Sequence, residues 1–261
     1  MAASLGPDGS SRVPGTGDRR GIVVSEETLT AGATGGGLAA FRASRTYDAL
    51  MRLPILTYNG YFLVHEIRGL AAWVAEQPLP FTVTPLTATV LASRVALILF
   101  LVLLMAFHLV RRRPVAKARG WLPRLVALFG ATLTIAMVLL DRAPGSLALN
   151  AASAGLILLG NYISIVAVLS LGRSLSIMPE ARRLVMSGPY RLVRHPLYLA
   201  EEIAILGVWL QFMSWSATAI LLGHFAIQLW RLGYEEAVLR ESFPEYDAYA
   251  RQTARLIPGL Y

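Results

Sequence analysis

The sequence predicts an all-α fold, a polytopic bundle of about five transmembrane helices that ends in a helical hairpin and a cytoplasmic tail. Of the 261 residues, 55% are hydrophobic and 15% are charged, whereas about a quarter of the residues in a soluble domain are charged. The mean hydropathy is +0.54. Long apolar runs alternate with short polar segments. These observations favour a membrane protein over a soluble domain.

The apolar runs give the expected spans, each of which needs about 20 residues to cross a bilayer. The candidates are residues 86–110, 121–140, 147–171, 197–213 and 217–230. The last two runs are short and only Ser214-Trp215-Ser216 separates them, so we expect a tight antiparallel hairpin. Residues 50–75 are apolar but contain His65, Glu66 and Arg68. They form either a further span with a polar face or a helix lying in the membrane interface.

The chain divides into three predicted parts. Residues 1–46 are rich in Gly, Ser, Ala and Thr and show no apolar period, which is typical of a disordered tail. Residues 47–154 hold the N-terminal transmembrane helices, and residues 155–261 hold a membrane core with the C-terminal tail.

Lysine and arginine set the expected orientation. They cluster after residue 110, before the hairpin and in the C-terminal tail, whereas the opposite side carries only Arg142 between spans. We therefore expect a multi-pass protein, as in a bacterial inner membrane, with these basic segments and the C-terminus in the cytoplasm. This topology accounts for the net charge of +8, and no nucleic-acid partner is expected.

Composition narrows the possible chemistry. The chain has no Cys, which excludes disulfides, thiolate nucleophiles and Cys-ligated metals. The four histidines are not spaced as metal ligands, so no metal is expected: His65, His108, His195 and His224.

A polar block, Arg194-His195-Pro196, precedes the first helix of the hairpin. Proline suits the first turn of a helix, which places His195 near the N-cap. At 100° per residue, Tyr198 and Glu202 lie on nearly the same face as His195. Ionisable groups in an apolar helix are costly, so they mark a candidate site.

The second helix of the hairpin carries a matching polar stripe of His224, Gln228, Arg231 and Glu235. Folding the hairpin at Trp215 is expected to bring Glu202 level with Gln228, Tyr198 level with Arg231, and His195 level with Glu235. Two polar faces then meet in a pocket open to the cytoplasm. The alternative is that these groups only satisfy one another between the helices.

The expected pocket has two ends of opposite charge. The helix N-terminus, Arg194 and His195 favour an anion, whereas Glu235 and Glu236 suit an ammonium group or ribose hydroxyls. S-adenosylmethionine has both kinds of group, and a dinucleotide could also use the anion site.

These residues resemble a known family. The run Leu184-Val185-Met186-Ser187-Gly188-Pro189-Tyr190-Arg191-Leu192-Val193-Arg194-His195-Pro196-Leu197-Tyr198 is similar to the motif of isoprenylcysteine carboxyl methyltransferases and related phospholipid methyltransferases. Glu235-Glu236, Phe243-Pro244-Glu245-Tyr246 with Tyr249, and Arg255-Leu256-Ile257-Pro258 follow at similar distances. The resemblance covers about residues 155–261.

The resemblance implies an S-adenosylmethionine-dependent methyltransferase whose lipophilic acceptor enters from the bilayer. It assigns the cofactor site to Leu184, Val185, Gly188, Tyr190, His195, Pro196, Tyr198, Glu235 and Glu236. Arg194 and Arg231 are then candidates for orienting an acceptor carboxylate. Glu202 or His195 is the candidate base for a thiol or ammonium acceptor.

The sequence departs from the family just inside the hairpin. Ala200 stands where members often have Gly, which lets the chain approach the cofactor, and the acidic pair Glu201-Glu202 follows. The pair would repel a carboxylate unless Arg231 neutralises it. The acceptor head group therefore stays open among carboxylate, amine, thiol and neutral lipid.

Two other classes remain possible from the sequence. Membrane sterol reductases, which use NADPH, share an Arg-His-Pro-x-Tyr block and an Ile-Pro-x-x-Tyr end, although they usually have Asn where this chain has Leu197. A scaffold or small transporter is the other, although a transporter usually has an internal repeat, and none is visible.

Overall fold

The computed structural model describes residues 23–25, 46, 50, 52–77 and 82–259. Most of these residues are helical, which confirms the predicted helical class. The α-helices are α1 (Leu53–Ala75), α2 (Pro85–Val110), α3 (Leu122–Thr132), α4 (Leu147–Leu171), α5 (Pro196–Trp209), α6 (Trp215–Ser242) and α7 (Tyr246–Gln252). Short 3-10 helices span Leu133–Leu139, Gly172–Ser174 and Gly188–Arg191. The strands β1 (Val23–Ser25), β2 (Ala116–Ala118) and β3 (Glu180–Ala181) form a small antiparallel sheet in the order β1-β2-β3.

Helices α2 and α4 are the two described segments that are long and apolar enough to cross a membrane. Thr84 caps α2 through a capping box with Thr87, and Ser146 caps α4 by accepting from the Leu149 amide. Only 11% of the most apolar stretch of α2 is buried. An apolar helix with so little protein around it is expected in lipid, because its exposure to water would be costly.

The other predicted runs also form helix, with different ends. Residues 50–75 contain α1, and the run at 121–140 becomes α3 followed by the 3-10 helix Leu133–Leu139. Helix α6 continues beyond Trp230 to Ser242 because its polar continuation still has helix-forming residues. The number of spans stays a prediction, since α3, α5 and α6 differ from the apolar runs in length or composition.

The small sheet joins two basic segments at one end of the bundle. Strand β2 lies after α2 and pairs with β3, which lies before α5. The Arg112 amide also donates to the Arg173 carbonyl at 2.8 Å. Val238, near the end of α6, packs against Ala residues of β2 and β3. The segments after α2, before α5 and at the end of α6 therefore lie together.

Part of the predicted N-terminal tail is ordered. Val23–Ser25 pairs antiparallel with Ala116–Ala118 as β1. The rest of residues 1–45 lies outside the described residues, so its disorder stays a prediction. The sequence did not predict any of the three strands, since each is only two or three residues long and carries no alternating pattern.

Helices α4 and α5 approach each other very closely. A Cβ atom on Gly160 of α4 would lie 2.6 Å from the Ala204 amide nitrogen and 2.7 Å from the Ala200 carbonyl oxygen. The Ser153 hydroxyl donates to the Gly207 carbonyl at 2.8 Å. Such contacts between small residues are common where membrane helices pack.

Ala200 takes part in this packing. It is fully buried, and its carbonyl oxygen faces Gly160 of α4. The sequence alone could not show which neighbour would lie against residue 200, because α4 is distant in sequence.

Gly160→Ala should destabilise the protein, because the added methyl group overlaps the α5 backbone, and overpacking typically costs about 1–3 kcal/mol. Gly155→Ala is the matched control in the same helix, since a Cβ there meets nothing within 4 Å; it should be neutral or slightly stabilising. Thermal unfolding in detergent measures both. Equal midpoints for the two variants would contradict the close crossing of α4 and α5.

Candidate functional site

The segment before α5 holds the polar block in place. The 3-10 helix Gly188–Arg191 leads to His195, whose φ of −128° and ψ of 60° end the loop, and Pro196 begins α5. Gly188 has a φ of +62°, and a Cβ there would lie 2.8 Å from the Ser170 hydroxyl. The predicted residues Gly188 and Pro196 therefore shape the backbone of the site.

The C-terminal tail closes over this segment. The amides of Arg194 and His195 donate to the carbonyls of Ala254 and Arg255 at 2.8 and 3.1 Å. The Arg194 guanidinium donates to the carbonyls of Ala250 and Thr253. The tail beyond α7 is thereby fixed to the start of α5.

Glu236 is the electrostatic centre of this arrangement. Its carboxylate accepts from Arg194 Nε at 3.0 Å, from His195 Nε2 at 3.2 Å and from Arg255 Nη2 at 2.6 Å. Burial opposes ionisation, but the hydrogen bonds from His195 and Arg255 outweigh it and hold the pKa of Glu236 well below its ordinary value. Glu236 is thus an ionised structural anchor.

An open pocket lies beside this anchor, and most of the predicted cofactor residues line it: Leu184, Val185, Tyr190, His195, Tyr198 and Glu235. The other three predicted cofactor residues, Gly188, Pro196 and Glu236, are not among the residues that line the pocket. The predicted Arg194 also lines the pocket.

Other lining residues were missed by the sequence reasoning: Leu171, Ser174, Ser176, Glu180, Arg182, Arg183, Leu197, Leu239, Tyr246 and Tyr249. Tyr246 and Tyr249 lie in the quoted tail motif, so their position there was a usable signal. Glu180 and Arg182 flank or belong to β3, which the sequence did not predict.

A chain of polar contacts runs from the pocket into the hairpin. The Tyr198 hydroxyl donates to Glu235 at 2.9 Å, and the Arg231 guanidinium lies 4.9 Å from the centre of the Tyr198 ring. Arg231 donates to the Gln228 amide oxygen at 2.6 Å, and Gln228 donates to Glu201 at 2.7 Å. The hairpin therefore brings together the two predicted polar faces.

The pairing of the two helices differs in detail from the prediction. Tyr198 meets Arg231 as expected, but His195 contacts Glu236 instead of Glu235, and Glu201 takes the place of Glu202 beside Gln228. The prediction assumed parallel helix axes, and a small crossing or rotation of the helices shifts the other two pairings by one residue.

Glu202 instead pairs with His224, deeper in the hairpin. His224 Nδ1 lies 2.9 Å from Glu202 Oε1, and His224 Nε2 lies 3.0 Å from the Gly130 carbonyl oxygen of α3. A carbonyl only accepts, so Nε2 carries a proton. Nδ1 and the carboxyl group then share a second proton, as imidazolium with carboxylate or as imidazole with carboxylic acid.

The two predicted arginines have different surroundings. Arg194 is engaged by Glu236 and by tail carbonyls. Arg231 is buried, and its hydrogen bonds go to Gln228 and, at 3.4 Å, to the Ile177 carbonyl. Among the described residues it forms no ion pair with a carboxylate, and its Nε has no hydrogen-bond partner. A buried guanidinium without a carboxylate partner suits an incoming anionic or strongly polar group.

The candidate site lies in a part of the chain that matches a known protein family. Residues 149–246 match the phospholipid methyltransferase family. This range contains α5, all of α6 and all the lining residues except Tyr249, so the resemblance drawn from the motifs is confirmed for this part of the chain.

Similar curated proteins also match this chain over only part of its length. The cobalt-zinc-cadmium resistance protein CzcN of Cupriavidus metallidurans is 41% identical over 78 residues, covering 30% of this chain and 36% of that protein. The nickel-cobalt-cadmium resistance protein NccN of Alcaligenes xylosoxydans xylosoxydans is 37% identical over 82 residues, covering 31% and 38%. A probable protein-S-isoprenylcysteine O-methyltransferase of Oryza sativa subsp. indica is 30% identical over 116 residues, covering 40% and 59%. The chain thus spans little more than a third of the two resistance proteins.

Glu236→Gln should destabilise the protein, because removing the negative charge leaves Arg194 and Arg255 without their shared partner. Breaking a buried ion pair typically costs about 3–5 kcal/mol, and the partly exposed arginines place the expected cost at or below the lower end of this range. Unfolding in detergent and proteolysis of the tail measure the change. Glu245→Gln, at an exposed position, is the control and should change stability by less than about 0.5 kcal/mol.

The difference between wild type and Glu236→Gln should depend on pH. Because the pKa of Glu236 is lowered on folding, its contribution is complete above the ordinary carboxyl pKa of 4.5 and is lost as the pH falls toward the lowered value. The two proteins should therefore converge in stability in acid. A constant difference across the acid range would show that Glu236 acts without its charge.

Proposed function

We propose that this protein is a membrane-embedded S-adenosylmethionine-dependent methyltransferase that acts on a lipidic or small hydrophobic acceptor. The observation that carries the proposal is the open pocket inside the region that matches the phospholipid methyltransferase family. The similarity to a rice protein named as a probable protein-S-isoprenylcysteine O-methyltransferase supports the same reaction class.

The pocket residues fit this cofactor. Tyr190, Tyr198 and Tyr249 offer aromatic faces, Glu235 offers a carboxylate for hydroxyl or ammonium groups, and Arg183 brings positive charge to the same pocket. When bound, S-adenosylmethionine supplies an electrophilic methyl group on a sulfonium. The protein's share is to hold the two reactants in line and to limit access of water.

We place the basic end of the bundle in the cytoplasm and the protein in a membrane such as the bacterial inner membrane, with about five spans. The contacts of the segments after α2, before α5 and at the end of α6 support a single basic side. The loop at Ala143, whose amide donates to the Gln211 carbonyl, lies with the hairpin tip at the other end. The cofactor pocket then opens to the cytoplasm.

For the acceptor, we propose that Arg231 orients the polar head group. Arg194 is occupied by Glu236, whereas Arg231 has no carboxylate partner among the described residues. Glu201 and Glu202 are held by Gln228 and His224, so the acidic pair is partly neutralised by neighbours. A carboxylate acceptor needs no base. A thiol or ammonium acceptor would lose its proton to the Glu202 carboxylate, which becomes a carboxylic acid beside the His224 imidazolium.

The alternatives from the sequence gain no support. None of the similar proteins above is named as a reductase. Two of them are named for metal resistance, but we assign no metal-binding role, because the described part of this chain contains no group of three His, Cys, Asp or Glu that could hold a metal ion.

Glu235→Gln should weaken S-adenosylmethionine binding about tenfold, because a charged hydrogen bond to the ligand contributes about 1.5 kcal/mol. Isothermal calorimetry of the protein in detergent measures the affinity. Glu241→Gln, at an exposed position of the same helix, should bind like wild type. Absence of any binding by the wild-type protein would overturn the proposed cofactor.

Glu202→Gln should lower turnover of an amine or thiol acceptor by about 100-fold or more, the usual contribution of a general base, and leave the affinity for S-adenosylmethionine unchanged. A screen of membrane extracts with labelled S-adenosylmethionine, followed by mass analysis of the product, first identifies the acceptor. Full turnover by the variant would remove Glu202 from the reaction.

A further inference from the structure

Four tyrosines line the pocket, and their hydroxyls have different partners. The Tyr198 hydroxyl donates to Glu235 at 2.9 Å, and the Tyr249 hydroxyl donates to the Tyr190 carbonyl at 2.6 Å. The Tyr246 hydroxyl is buried and has no hydrogen-bond partner among the described residues. Among the lining tyrosines in the described part of the chain, Tyr246 is the one whose hydroxyl is both fully buried and without a hydrogen bond.

The Tyr246 hydroxyl is buried, so it cannot form a hydrogen bond to bulk water instead. The residue is 1% exposed, the Arg240 guanidinium lies 5.5 Å from its ring centre, and the Tyr249 ring meets it edge-on at 6.1 Å. Its amide is also fixed by the Phe243 carbonyl at 3.0 Å. Leaving a buried hydroxyl unpaired is unfavourable, so this position calls for a hydrogen-bond partner that enters the pocket.

The hydroxyl is available as a donor. Burial and the nearby Glu236 carboxylate raise the pKa of Tyr246, so the phenol stays protonated at neutral pH. A protonated phenol donates one hydrogen bond, which requires an oxygen or nitrogen acceptor on the partner.

We propose that Tyr246 is a further cofactor-binding residue, whose hydroxyl donates a hydrogen bond to an oxygen or nitrogen atom of S-adenosylmethionine. The proposal rests on the proposed function and adds to it a residue of the tail helix α7. Helix α7 then contacts the ligand directly, besides closing over the loop before α5. Tyr246 already belongs to the pocket lining, and its buried hydroxyl becomes accessible to the ligand when the pocket wall moves.

Tyr246→Phe tests the proposal by separating ligand binding from folding. The variant removes a hydroxyl that makes no hydrogen bond to the described protein, so the ligand-free protein should unfold at the same temperature as wild type or a higher one. Calorimetry should show S-adenosylmethionine binding weakened about 2- to 10-fold, the value of one hydrogen bond of 0.5–1.5 kcal/mol. Wild-type affinity in Tyr246→Phe would overturn the proposal.

Tyr249→Phe is the matched control three residues away. It removes the hydrogen bond to the Tyr190 carbonyl, so the ligand-free protein should unfold at a lower temperature. A similar loss of ligand-free stability in Tyr246→Phe would show that its hydroxyl has a partner within the protein, and this too would overturn the proposal.

Two further ligands show which part of S-adenosylmethionine accepts the hydrogen bond from Tyr246. S-adenosylhomocysteine retains the amino acid part, and 5′-methylthioadenosine lacks it. Weakening of both by Tyr246→Phe assigns the bond to the nucleoside, and weakening of the first alone assigns it to the amino acid part; either result supports the proposal. If wild type binds none of these ligands, the proposed function fails, a result that is distinct from equal binding by wild type and variant.

Discussion

The charge cluster around Glu236 is the constraint on which the rest of the site depends. One buried carboxylate of α6 is shared by Arg194 and His195, at the start of α5, and by Arg255 in the tail. Together with α6, these partners bring together three segments that are distant in sequence. With this single group, the protein aligns the hairpin, fixes the loop that carries the pocket wall, and holds the tail over it. The desolvation of each charge is costly, and the cluster offsets that cost by pairing every member.

This cluster also separates two roles that the motif alone does not distinguish. Arg194 and Arg231 are both arginines near the mouth of the hairpin, and both are suited to an anion. Arg194 donates hydrogen bonds to Glu236 and to carbonyls of the tail. Arg231 lies over the Tyr198 ring and donates a hydrogen bond to Gln228. The first therefore maintains the shape of the pocket, and the second is the arginine that we propose for the acceptor.

The sequence predicts the helices well because hydrophobicity is a local property. Residues 86–110 and 147–171 nearly coincide with α2 and α4, and the polar block correctly precedes a helix that begins at Pro196. Long-range properties were harder to predict. The strands are too short to show a pattern, the partner of Ala200 belongs to another helix, and the pairing of Glu201 and Glu202 depends on how the hairpin helices cross. Tyr246 and Tyr249 belong to the tail motif in the sequence, but only the fold of the tail shows that they line the pocket.

The continuity of α6 has a mechanical consequence. His224, near the middle of the hairpin, and Glu236, at the basic end, lie on one unbroken helix, about 18 Å apart along its axis at 1.5 Å per residue. The helix works as a rigid spacer between the pair of Glu202 and His224 and the charge cluster, so neither can shift along the helix axis without the other. In the proposed methyltransferase, the length of this single helix would set the depth at which an acceptor head group is held relative to the pocket, and a motion that admits the acceptor would involve the neighbouring helices or the tail.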